Sequence, residues 1–211
     1  MLLKWLDHAS FLVKVSGRNF YIDPYAGEYK EKADVILITH SHRDHCDPEK
    51  IATILKPNTL IVTSADCARE LTGNITILSP GEAKEIYGVL IKAVEAYNIK
   101  RFRSPGVPYH PQETQIGFII EAERKRVYHA GDTDFLPSMK DLKDIDVALL
   151  PIMGRATMDL DEAVDAAIAI NPKTAIPMHR REASAKEFKA KVESKSSVRV
   201  LAIEPGEEVD P

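Results

Sequence analysis

The sequence predicts an α/β fold of two β-sheets with helices on their outer faces, carried on one domain. Three observations lead there. Strand-like runs crowd the first ninety or so residues, helical segments alternate with buried strands in the later part, and 211 residues fit a single core. No linker divides the chain, so the domain is taken as 1–211.

Phe11 to Val15 and Asn19 to Ile22 read as strands around a turn at Ser16-Gly17. Asp34 to Ile38 is a continuous apolar run, the pattern of a strand buried on both faces, and it ends at Thr39-His40. Pro48 opens a helix that Pro57 stops. Thr59 to Thr63 is a further buried strand, followed by a helical Ala65 to Leu71 and strands at Ile75 to Leu78 and Val89 to Val94. Residues 97–114, rich in proline and basic groups without a clear period, read as a functional loop. Ile116 to Glu121 and Arg126 to Tyr128 suggest a hairpin, and Val147 to Leu150 a buried strand. Asp159 with Glu162 makes a capping box for a helix to about Ile170. Thr174 to Ile176, ending at Pro177-Met178-His179, then a helix from Ser184 to Ser194 and a strand from Val198 to Ile203 complete the chain.

The composition, 44% hydrophobic and 28% charged, excludes disorder as the main state. A formal net charge of -4 gives no global attraction to nucleic acid or an anionic membrane. No run approaches the roughly 20 apolar residues of a membrane helix. Lys4, Asp7 and His8 interrupt the N-terminal apolar stretch, so no secretory signal is expected. Two cysteines make no disulfide framework, and the cytoplasm is the expected location.

Chemistry concentrates in Thr39 to His45, T-H-S-H-R-D-H. His40, His42, Asp44 and His45 offer imidazole nitrogen and carboxylate oxygen, the donors that borderline divalent ions such as zinc favour. A strand-end loop can turn His40 and His42 toward one point and Asp44 and His45 toward a neighbouring one. Further donors are expected at other strand ends: Asp132 in Tyr128 to Asp134, His179 after Met178, and His110 in the long loop.

These motifs resemble the metallo-β-lactamase superfamily, and within it the small metal-dependent hydrolases that include the ascorbate-6-phosphate lactonases. Matching segments are His8-Ala9-Ser10-Phe11, Tyr21-Ile22-Asp23-Pro24, Y-H-A-G-D-T-D at 128–134 and I-P-M-H at 176–179. The resemblance implies a four-layer αββα sandwich with one or two divalent ions at the sheet edge, zinc first, manganese or iron as alternatives. It implies that His40 and His42 hold the first ion, that Asp44, His45 and His179 hold the second, and that Asp132 bridges. Asp23 matches an aspartate that orients the His loop. His8 has two readings, a pocket-lining side chain or a core histidine bonded to backbone.

One position departs from the family pattern. The third histidine of the first site falls where this chain has Asn98, so either His110 reaches in or two imidazoles, the bridging aspartate and water suffice. The implied activity is hydrolysis of a small-molecule lactone, ester or phosphodiester by a metal-bound hydroxide, with Asp44 and Asp132 as the catalytic carboxylates. Arg101, Arg103, Arg155, Arg180 and Arg181 hint at an anionic substrate, Arg180 by its place beside His179. Two other functions compete: a nuclease or RNA-processing enzyme, disfavoured by the acidic balance, and a metal-binding non-enzyme, suggested by Asn98. A homo-oligomer is compatible with the sequence, which leaves the oligomeric state open.

Overall fold

The computed structural model describes residues 1–210. Along the first half run β1 (Leu2–Asp7), β2 (Ser10–Val15), β3 (Arg18–Ile22), β4 (Val35–Ile38), α1 (Pro48–Ile54), β5 (Leu60–Thr63), α2 (Ala65–Ala68) and β6 (Asn74–Ile77). The second half follows with β7 (Ala83–Ile86), β8 (Val89–Val94), β9 (Phe102–Ser104), β10 (Val107–Pro108), β11 (Gly117–Ala122), β12 (Lys125–His129) and β13 (Val147–Pro151). It closes with α3 (Leu160–Ile170), β14 (Thr174–Met178), α4 (Ala185–Lys195), β15 (Arg199–Val200) and β16 (Glu208–Val209).

Two seven-stranded sheets result, in the orders β16-β1-β2-β3-β4-β5-β6 and β15-β14-β13-β12-β11-β8-β7. The first is antiparallel from β16 to β3 and parallel from β3 to β6; the second is parallel from β15 to β12 and antiparallel from β12 to β7, so β3 and β12 stand at the change of direction. Parallel neighbours need crossovers, and those crossovers carry α1 to α4 onto the outer faces. Period-2 alternation then sorts the side chains. Phe20, Ile22, Val35 and Leu37 face Ile91, Phe118, Val127 and Leu149 between the sheets. Tyr21, Ile36 and Ile38 turn outward against Ile51 and Ile54 of α1, and Tyr128, Ala148 and Leu150 against Val164 of α3 and Phe188 of α4. The layers are helix, sheet, sheet, helix: the αββα sandwich.

Both halves repeat one fastening. Asp34, just before β4, accepts from the Asn19 backbone N–H at 2.9 Å and from Lys56 Nζ at 2.7 Å. Asp146, just before β13, accepts from the Arg126 backbone N–H at 2.8 Å and from Lys173 Nζ at 2.6 Å. No repeat is visible in the letters; the duplication lives in the topology. Burial pushes both carboxyls up, but these hydrogen bonds and cations outweigh it and hold them below the usual carboxylate range. The sign follows. Their stabilisation is present above the unfolded carboxyl value, about 3.9, and is lost as pH falls through the lower folded values. Asp34→Asn and Asp146→Asn should each lower stability near neutral pH by about 1–3 kcal/mol and make its fall with acid shallower, as read by urea titration at successive pH values.

Four departures from the sequence expectation have physical reasons. β1 was hidden because Lys4 and Asp7 interrupt its apolar letters, yet Leu3 and Trp5 are buried between the sheets. β7 is an edge strand with only Ile86 buried, so it shows no apolar pattern. The stretch 97–114 is not all loop but holds the hairpin β9–β10, whose Phe102 and Val107 stay exposed. The last strand is shorter than expected, and β16 pairs with β1 instead.

Candidate metal centre

The carboxyl ends of the parallel strands converge on one side of the sandwich. β4 ends in the loop that carries His40, His42, Asp44 and His45, β12 leads to Asp132, and β14 to His179. His110 arrives from the segment after β10, and His8 from the β1–β2 turn. Six of the chain's seven histidines therefore meet at one place. The seventh, His129, is tied to the Ala9 carbonyl at 2.9 Å and accepts from the Gly131 N–H, a structural role.

The donors sort into three overlapping sets, each with its ligand atoms within 4.8 Å of one another: His40, His42, His110; His40, His45, Asp132; and His8, Asp44, His45, His179. In the first set His42 Nδ1 lies 3.1 Å from both His40 Nε2 and His110 Nε2. Asp132 stands between the sets. Its Oδ1 is 3.2 Å from His45 Nε2, and its Oδ2 is 3.3 Å from His179 Nε2 and 3.6 Å from His110 Nε2. Asp44 Oδ2 is 3.2 Å from His8 Nε2 and 3.9 Å from His179 Nε2. His8 is thus neither a core side chain nor remote: it stands at the mouth, its ring centroid 3.7 Å from that of His179.

Hydrogen bonds behind the cluster decide which nitrogen each ring presents. Asp23 is fully buried and accepts from the Thr39 N–H and Thr39 Oγ1, both at 2.8 Å. With its proton given to Asp23, the Thr39 hydroxyl accepts from His40 Nδ1 at 2.9 Å, which leaves His40 Nε2 facing the cluster. Asp23 also takes His45 Nδ1 at 2.7 Å, so His45 likewise turns Nε2 inward. Such partners fix tautomer and ring orientation in metal sites. Gly131, with φ of +65°, makes the turn before Asp132, a conformation that any side chain would strain.

Asn98 explains the departure from the family pattern. Its Oδ1 accepts from the His110 N–H at 2.9 Å and from His110 Nδ1 at 2.8 Å, while its Nδ2 donates to Asp134 Oδ1 and the Ala156 carbonyl. His110 therefore occupies the third imidazole position, and Asn98 stands behind it as its holder. Sequence reasoning missed this relay, and Thr39 and Asp134 with it. Arg101 also needs correcting. It is half-buried and paired with Asp134, Asp159 and Glu162, so it is not free to greet an anion, while Lys100 stays exposed beside it and donates to Glu162. Arg180 packs 4.2 Å from the Trp5 ring and pairs with Glu204.

Electrostatics suit a cation. Burial holds His40 and His110 below the usual imidazole value, His110 at about 4, and it lowers His42 and His8 as well, so these rings are neutral donors at pH 7. Burial would lower His45 too, but Asp132 and Asp23 on either side raise it. Burial opposes ionisation of Asp132, yet His179 and His45 hold its carboxyl well down. Among the described residues, buried His45 Nε2, Asp132 Oδ1 and both His179 ring nitrogens have no hydrogen-bond partner. Orphaned buried polar atoms are costly. Here His45 Nε2, Asp132 Oδ1 and His179 Nε2 stand in the cluster, and two donors about 2.0–2.1 Å from one tetrahedral ion lie about 3.3–3.4 Å apart, close to the spacings above. The residues fit divalent metal.

Comparison with known proteins agrees. The family model described as Beta-lactamase superfamily domain matches residues 2–179. The chain is 33% identical to a UPF0173 metal-dependent hydrolase of Methanopyrus kandleri, with 98% of each chain covered, and 34% identical to one of Nanoarchaeum equitans over the whole of both. Among solved structures, the novel metallo hydrolase of Ignicoccus hospitalis superposes with a TM-score of 0.83 at 28% identity, covering 99% of this chain and 97% of that one. Fold, strand-end donors and relatives converge: the chain belongs to the metallo-β-lactamase superfamily.

Proposed function

We propose that this protein is a cytoplasmic metal-dependent hydrolase, with zinc the first candidate metal, acting on a small-molecule lactone, ester or phosphodiester. The observation that carries the reading is the set of buried, unpartnered ligand atoms on His45, Asp132 and His179 beside the three converging imidazoles. His40, His42 and His110 would hold one ion, and Asp44, His45 and His179 a second, with His8 within reach and Asp132 between them. When bound, a divalent ion supplies an acidified water and polarises the scissile oxygen. The chain's own part is placement. Asp23 and Asn98 keep three imidazoles in the tautomer that faces inward, and the apolar core behind the loop keeps bulk water out. Asp44, half-exposed at the mouth, is placed to orient the attacking water. The relatives' shared designation supports hydrolysis. Among the described residues no helix is long and apolar enough to cross a membrane, and the two cysteines are free, as a reducing compartment would keep them. The nuclease alternative rests on the basic loop Lys100 to Arg103, and it is weakened because Arg101 in that loop is spent on Asp134, Asp159 and Glu162.

The test is chelation followed by reloading with zinc, manganese or iron, with metal counted against protein and turnover read on generic phosphodiesters, lactones and esters. Turnover should vanish with chelation and return with metal. Stoichiometric metal with no turnover on any of these substrates would overturn the reading.

A further inference from the structure

Beside the His/Asp cluster lies a cleft of about 600 Å³. His8 is common to both: its Nε2 belongs to the cluster, and its ring also lines the cleft together with Trp5, Tyr25, Arg180, Arg181 and Glu204. The cleft is thus the approach to the second set of donors. Its wall is a built surface. The Arg180 guanidinium is held over the face of Trp5 at 4.2 Å, its side chain only 13% exposed. Trp5 is itself buried and donates its indole N–H to the His8 carbonyl.

The charges have unequal freedom. Asp7, also on the cleft, accepts from the His8 N–H at 2.6 Å. Arg180 has a single partner among the described residues, Glu204 Oε2 at 3.5 Å, the outer limit of a hydrogen bond, and that carboxylate is 73% exposed. Arg181 has none. A guanidinium carries five N–H donors in a planar fork that matches two oxygens of an oxyanion. Two such forks therefore stand with most of their donors unspent. The backbone aims them at some cost, since His179 and Arg181 both adopt left-handed φ, 48° and 45°. Strain of this kind in residues other than glycine collects at functional sites.

We propose that this cleft is an oxyanion subsite in which Arg180 and Arg181 grip a phosphate or carboxylate group of the substrate, placing its scissile bond at the neighbouring cluster. The assignment of the group to the substrate rests on the hydrolase reading; the binding itself does not. An exposed Glu204 serves as the stand-in partner that an incoming anion displaces.

Trp5 is the chain's only tryptophan, so its fluorescence is a single reporter placed directly beneath the Arg180 guanidinium. Metal-loaded protein is titrated with inorganic phosphate and, separately, with acetate. A saturable change in emission is expected, weakening with added salt, and the tighter of the two anions identifies the group preferred. Arg180→Gln should weaken binding roughly tenfold or more, as loss of charge-assisted bonds implies. Glu204→Gln should tighten it, because the competing carboxylate is gone, and a merely structural role for Arg180 would not give that opposite sign. Absence of a saturable change overturns the proposal. So does binding that is undiminished in Arg180→Gln and Arg181→Gln, which would put the anion on the metals instead. The titration needs no turnover, so failure of the hydrolase reading would show in the substrate panel and leave this result interpretable.

Discussion

Asp132→Ala is expected to abolish metal-dependent hydrolysis while circular dichroism shows the fold retained. The side chain is almost fully buried and faces His45, His110 and His179 at 3.2, 3.6 and 3.3 Å. No other carboxylate in the cluster lies between the two donor sets. Loss of an outer partner costs a metal site about 10–100-fold in affinity or activity, so loss of this shared donor should exceed about 100-fold in both. Metal analysis should find less than the wild-type stoichiometry, with the deficit restored poorly by excess zinc. Full activity with full metal content would refute the bridging role.

Asp23→Ala should be the most damaging change to stability that leaves every proposed ligand in place. Asp23 touches no substrate-facing surface, yet it receives the Thr39 N–H, the Thr39 hydroxyl and the His45 ring. Alanine would orphan those buried donors together, a loss of about 3–5 kcal/mol in the range seen when one partner of a buried charged pair is removed. It would also free His40 and His45 to take the wrong tautomer, with metal affinity lowered about 10–100-fold. Urea unfolding of the metal-free chain and a chelator competition separate the two effects. Asp23→Asn keeps an acceptor for the Thr39 N–H and should recover part of the stability but little of the affinity. A variant as stable and as tightly metal-binding as the wild type would contradict the relay.

What the letters disclosed and what they hid divides along a physical line. The apolar runs of β4 and β14 and the donors that follow them were legible, because a strand buried on both faces has an unmistakable composition and its end is where a loop begins. The αββα layering followed from the same runs. Concealed were features in which the partner is far away in sequence. β1 looked broken until β2 and β16 flanked it. The place of His110 could not be read from its own neighbours, since Asn98 and the Ala156 carbonyl hold it from segments 12 and 46 residues away. Arg101 looked like a free cation because its three carboxylates lie 33 to 61 residues further along the chain. The seat of Arg180 on Trp5 was equally unreadable, since it joins the loop after β14 to β1.

Asp34 and Asp146 rivet each half to itself at the amino ends of β4 and β13, using only groups the polypeptide always carries. At the opposite rim the halves are stitched to one another, for His40, His42, Asp44 and His45 come from one and His110, Asp132 and His179 from the other. One end of the sandwich therefore holds fasteners internal to each half, while the other carries donors from both that an exchangeable cation would join. Starved of that cation, the two halves would lose the tie at this rim, so the working face and the most labile seam are the same place.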